Sequence, residues 1–339
     1  MGQRIRSSTA RCLAALVMPF LVLVVMAGTA PASAASSLSH ESSGRTPADA
    51  AVPASLRAAI GASLRTSAPA AGYSRLAELT ASDRAAGDNF GYSVAMAASG
   101  TTALVGAEGH HFAAGAAYVF TLRGGTWSQT AVLAAPHAAG FDQFGDSVAL
   151  SARGTTALVG ALGRNSGTGA AYVFTLRGGT WSQTAELTAS RRALNDAFGA
   201  SVALSAPGST ALVGADGRNS STGAAYVFRL RGGTWSQTAE LTASRGVRGD
   251  GFGASVALSE SGATALVAAT GRDSFTGAAY VFMLRGGTWS QIAELTASRG
   301  APNDVFGYPV ALSAPGTTAL VGAQAHSATG AAFVFTGIR

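Results

Sequence analysis

From Tyr73 onward the chain is a succession of short apolar runs rich in Val, Phe, Tyr, Leu and Thr, punctuated by Gly, Asn and Ser. None keeps the three-to-four spacing of an amphipathic helix; their length and β-branched and aromatic content predict strands. Four runs make one set: FGxSVALS, TTALVGA, AAYVFTLR and TWSQTAELTA. Gly124-Gly125, between the third and fourth runs, tolerate the positive φ of a type I′ turn, so these two runs should form a tight hairpin.

The set recurs. Phe-Gly stands at Phe90, Phe144, Phe198, Phe252 and Phe306, a step of 54 residues, and Trp127, Trp181, Trp235 and Trp289 keep the same step. GAAYVF begins at Gly115, Gly169, Gly223 and Gly277, and a fifth copy, GAAFVF, begins at Gly330. Such a period marks a repeat architecture, and four antiparallel strands per unit make one blade of a propeller. The array opens at Tyr73 with fourth-strand sequence, YSRLAELTAS, and stops after a third strand near Phe335. The expectation is an all-β, five-bladed β-propeller of four-stranded antiparallel blades over residues 73–336, closed by its N-terminal strand, with a tail at 337–339. Closure of that kind would hide two sheet edges.

FGxSVAL, ALVGA and GAAYVF together resemble the FG-GAP repeat, found in integrin α-chain propellers and in secreted bacterial proteins. The resemblance implies a propeller that serves as an extracellular binding module. Two departures stand out: the proline of the GAP element is absent, and there are five copies where integrins have seven. Metal-binding members carry a DxDxDG loop between the first two strands. Here the same connection reads Ala98-Ser99-Gly100-Thr101 or Ala206-Pro207-Gly208-Ser209, with Glu260 the nearest approach to a ligand. Calcium needs several oxygen ligands on a sharp turn, so no metal and no cofactor is expected.

Ahead of the array, Arg4, Arg6 and Arg11 precede an apolar stretch that ends before Ala32-Ser33-Ala34. Residues 1–34 therefore read as a secretory signal peptide, and the protein as secreted. Residues 35–72 are an Ala/Ser/Pro-rich linker or pro-segment, in which Leu56, Ile60 and Leu64 could form a short helical stripe. Cys12, the single cysteine, leaves with the signal, which excludes disulfides and thiolate chemistry from the mature chain. Every basic residue is Arg. Beyond the signal, 20 of them face 17 acids, a small excess that reads as dispersed and argues against a nucleic-acid partner.

Two sets of residues are candidate sites. Asp88, Asp142, Asp196, Asp250 and Asp304 each stand two residues before Phe-Gly. They read as turn residues that accept backbone N–H groups, with a ring of carboxylates at the channel mouth as the alternative. The connection between the second and third strands varies most, and Arg164, Arg218 and Arg272 share one position in it, which His110 takes in the first repeat. Variable polar loops on a rigid scaffold are where ligands bind, and these four are the candidate ligand-binding residues. Arg248-Gly249-Asp250 reads as a coincidence of the repeated Asp, and the tryptophans as packing between blades.

HExxH, GxSxG and phosphate-loop signatures are all missing, and the acids are mostly repeated, whereas an active site breaks symmetry. The expected function is non-enzymatic: a monomeric adhesion or interaction module for an extracellular protein or a cell-surface glycan, with no membrane span in the mature chain. A protein partner would use one broad face, marked by His110-His111 or Phe275. The alternatives are a multivalent lectin with one sugar site per blade and a propeller polysaccharide hydrolase.

Overall fold

The computed structural model describes residues 76–339; the signal and linker expected at 1–34 and 35–72 lie outside them. Each repeat forms its own antiparallel sheet in simple sequence order. In the first repeat the strands are Val94–Met96, Thr102–Ala107, Ala116–Arg123 and Thr126–Leu133, and in the second Phe144–Leu150, Thr156–Ala161, Ala170–Arg177 and Thr180–Leu187. Gly124 and Gly125, at φ 56° and 80°, make the predicted hairpin turn. All four complete third-to-fourth pairings carry a register shift at the same place, as at Val119/Phe120.

The repeated sequence is explained by what lies between sheets. Leu104, Ala117 and Val119 of the first sheet pack on Phe144, Val159, Tyr172 and Phe174 of the second, and the same interface recurs three times more along the chain. Phe144 meets Tyr172 at 5.6 Å and Phe174 edge-on at 5.9 Å between ring centres. The tryptophans pack partly buried against these interfaces, as read from the sequence. Gly115 pairs with Phe144 of the next repeat in a parallel bridge, and a side chain on Gly106 would collide with the Gly145 carbonyl. Glycine at these two places is thus a requirement of close sheet approach. The Ser93 hydroxyl donates to that same Gly145 carbonyl at 2.7 Å.

Two expectations are not met among the described residues. The fifth sheet has three strands among the described residues, Phe306–Leu312, Thr318–Ala323 and Ala331–Thr336, and Leu76–Ala81 adopts no strand. The face that is sealed in the other sheets is therefore open here. Leu104, Leu158, Leu212 and Leu266 are fully buried, but their counterpart Leu320 is 46% exposed and Val334 is 65% exposed. The residues expected as a tail are docked instead: the Ile338 N–H donates to the Thr317 carbonyl at 3.2 Å, and its side chain joins the last core cluster.

Candidate functional site

The strand order assigns every connection to one of two rims. First strands run away from the incoming loop, so the first-to-second turns and the Gly-Gly hairpins share one rim, here the turn rim. The second-to-third loops and the links between repeats share the other, the loop rim. All the sequence variation noted above falls on the loop rim.

There the two sets of candidate residues meet, 22 residues apart in sequence. His110 Nδ1 lies 3.1 Å from Asp88, Arg164 Nη1 2.7 Å from Asp142, and Arg218 and Arg272 Nη1 each 3.4 Å from Asp196 and Asp250. The fifth pair is His326 with Asp304 at 2.7 Å; His326 was not among the candidates, although its place 54 residues after Arg272 was the available signal. Each Asp also accepts the N–H of the residue three before it, from Ala85 at 2.7 Å through Ala301 at 2.8 Å. The carboxylates are all buried and do not line the central cavity described below. They close the incoming loop on itself and clamp it to the second-to-third loop.

Electrostatics follow from this clamping. Burial works against the Asp88 carboxylate, but the Ala85 N–H and His110 together hold it below its ordinary value; Ala301 and His326 do the same for Asp304. Burial likewise opposes the Arg164 charge, and Asp142, Tyr172 and Glu186 outweigh it. Arg164 Nη1 also donates to the His137 carbonyl at 2.9 Å, and Arg272 to that of Arg245 at 2.7 Å. Each guanidinium thus commits its Nη1 inside the protein, while its Nε is buried without a hydrogen-bond partner.

The loop rim also presents apolar side chains. Phe112 is 90% exposed and Phe141 is 77% exposed, and the Phe141 N–H donates to the Phe112 carbonyl at 3.2 Å, which sets the two side by side. Leu194, Val247 and Phe275 stand exposed on the same rim. Phe112, Phe141 and Phe275 hold φ of 58°, 69° and 65°, a left-handed region that costs a bulky residue about 1–2 kcal/mol. At the place of Phe141 the other repeats have Gly87, Asn195, Gly249 and Asn303, the residue types suited to that conformation.

A second feature lies on the axis. The first strands of all five repeats line one cavity of about 120 Å³. At one repeated position its wall reads Tyr92, Asp146, Ala200, Ala254 and Tyr308. Burial pushes the Asp146 carboxyl up to about 8, with Glu108 and Asp216 adding to the effect and a hydrogen bond from Tyr92 opposing it. Burial and Asp146 also raise the Tyr308 phenol. Sequence reading passed over Asp146 because only its repeat has an acid there; that break in the repeat was the available signal.

Among the described residues no three His, Asp or Glu side chains converge on a common point, and no helix is long and apolar enough to cross a membrane. The first-to-second turns do not fit calcium. Their hydroxyls serve the turn itself, Ser99 Oγ with Thr101 at 2.7 Å and Ser151 Oγ with the Thr156 N–H at 3.1 Å.

The FG-GAP repeat model matches residues 73–120, 127–174, 181–228, 235–282 and 289–335. No curated protein sequence matches the chain. Among solved structures, hydrazine synthase of Kuenenia stuttgartiensis is similar at 15% identity and a TM-score of 0.46, over 74% of this chain and 59% of that one. TolB of Acinetobacter baumannii is similar at 13% identity and 0.43, over 72% of this chain and 51% of that one. The chain thus spans between half and three-fifths of each.

Proposed function

The chain belongs to the FG-GAP repeat family, and on that footing we propose that it is a secreted, monomeric, non-enzymatic interaction module that grips an extracellular protein with its loop rim. The observation that carries this reading is Phe141. An exposed phenylalanine occupies a strained position that the other repeats give to Gly or Asn, and it stands beside a second exposed phenylalanine, Phe112. Strain held at a surface residue is retained where that residue has work to do. Clustered exposed aromatics suit a protein contact, in which a few such anchors supply most of the affinity.

One sugar site per blade is less well supported, since Arg164, Arg218 and Arg272 are each paired with a buried carboxylate. The test is a pull-down from cell-surface extract with wild-type protein and with F112S/F141N/F275S. The proposal expects a band that the variant loses. Equal recovery by both would sink it, and a glycan-array hit with about five sites per chain would replace it with the lectin.

The same proposal includes a closed ring, with Tyr73–Ser82 as fourth strand of the fifth blade. Support comes from its downstream end. The Ser82 N–H donates to Gln129 Oε1 at 3.0 Å, as Ser190 does to Gln237 at 2.9 Å and Ser244 to Gln291 at 3.0 Å. Ala81 is buried like Ala135 and Ala189, which stand two residues past the ends of true fourth strands. Val334→Asp should then cost 2 kcal/mol or more, roughly the burial of one valine; a change within about 0.5 kcal/mol would mean that the face stays open.

A further inference from the structure

Among the described residues the arginines are spread over both rims, nine in loop-rim connections and seven on the turn rim. Arg123, Arg177, Arg231 and Arg285 each end a third strand, immediately before the Gly-Gly turn, and all four are exposed. Arg339 continues the 54-residue step into the fifth sheet and is exposed as well. Its place is fixed by the backbone: Ile338 donates to the Thr317 carbonyl just as Leu122 donates to that of Thr101. Arg153, exposed in a first-to-second turn, and the half-buried Arg229 add to the same rim.

The acids, in contrast, are sorted. From Asp83 onward, every Asp and Glu except Glu260 lies in a loop-rim connection or in the strand end that opens onto it. None of the turn-rim arginines is ion-paired among the described residues; the one polar contact is from Arg285 Nε to Met283 Sδ at 3.3 Å. The turn rim is therefore a cationic face with a single acid on it.

We infer that the turn rim docks on a planar anionic phospholipid surface, to which the ring of arginines presents its guanidinium groups. Equivalent positions in blades set round one axis lie in a common plane, and the Gly-Gly hairpins that carry them are short. A flat array of phosphates can meet all of them at once, whereas a linear polyanion would have to curl to do so. Guanidinium is suited to the contact because its planar fork pairs two donors with one phosphate. Adsorption then adds up over the arginines and is weakened by salt. It leaves the loop rim facing outward.

The full chain is tested by co-sedimentation with vesicles of phosphatidylcholine, with and without 30% phosphatidylglycerol, at about 50 and 500 mM salt. The readout is the preference for charged over neutral vesicles, compared between variants that share the N-terminal stretch, so adsorption through it and its Arg4, Arg6 and Arg11 cancels. Wild type should prefer charged vesicles and lose the preference at high salt. R123Q/R177Q/R231Q/R285Q should lose about fivefold in affinity per arginine. R191Q/R192Q/R248Q/R299Q, with equal charge removed from the loop rim, should bind like wild type. Equal melting temperatures make both variants fair comparisons. Equal losses in the two variants would reduce the effect to net charge, and wild-type binding by the turn-rim variant would overturn the inference. So would tighter binding to soluble polyphosphate than to vesicles.

Discussion

Arg164 Nη1 lies 2.7 Å from the Asp142 carboxylate, with both side chains largely buried, and the pair joins two loop-rim connections 22 residues apart. Arg164→Met would leave that carboxylate buried with only the Ala139 N–H for a partner. The expected loss is about 2–3 kcal/mol in urea unfolding. D142N/R164M should recover part of it, since the penalty belongs to the stranded charge. A double variant no better than the single would show that packing, not charge, holds these loops.

Asp146 should make stability fall with rising pH. Its folded value is about 8 against an ordinary 3.8, so the folded state holds a proton that the unfolded state has released. The contribution is complete below about pH 4 and is lost as pH rises through 8. Urea midpoints should therefore decline across that window in wild type and stay flatter in Asp146→Asn. Asp88 and Asp304 are shifted downward and act oppositely, with their stabilisation lost as pH falls below 3.8. Parallel slopes for wild type and D146N between pH 4 and 8 would remove Asp146 from the account.

Phe141→Asn should raise stability while weakening partner binding. Asparagine adopts the left-handed backbone more readily, and the side chain removed is mostly exposed, so a gain of about 1 kcal/mol is expected in thermal unfolding. A loss of stability would mean that Phe141 packs to advantage on the rim and that its strain carries no functional meaning.

Gly160→Ala should cost about 1–3 kcal/mol by overpacking, because the added methyl meets the Gly199 carbonyl of the next sheet. The fourth interface shows how the clash can be avoided. Ala268 stands there in place of glycine, and Ser255 Oγ accepts from the Val310 N–H at 3.1 Å instead of donating to the next carbonyl as Ser147 does. A wild-type urea midpoint for G160A would show that the second interface relaxes just as freely.

Strand positions, their order within each sheet and the Gly124-Gly125 turn were legible in the sequence, because alternation, β-branching and positive φ are local properties that repeat with the chain. The role of Asp142 was half legible: a turn carboxylate could be read from its position, but its cation could not, because the second-to-third loop returns to it only through the sheet. Asp146 owes its altered acidity first to burial and then to Glu108 and Asp216, and both arise only when the first strands of different repeats gather round one cavity. The one-sided placement of the acids was hidden for a related reason. Along the chain Arg and acid residues are interspersed; antiparallel pairing sends successive connections to opposite rims, and only then do Arg123, Arg177 and Arg231 stand apart from the acids. Backbone preference is determined residue by residue, but Coulomb energy and burial depend on distances through space, and those the tertiary structure alone decided.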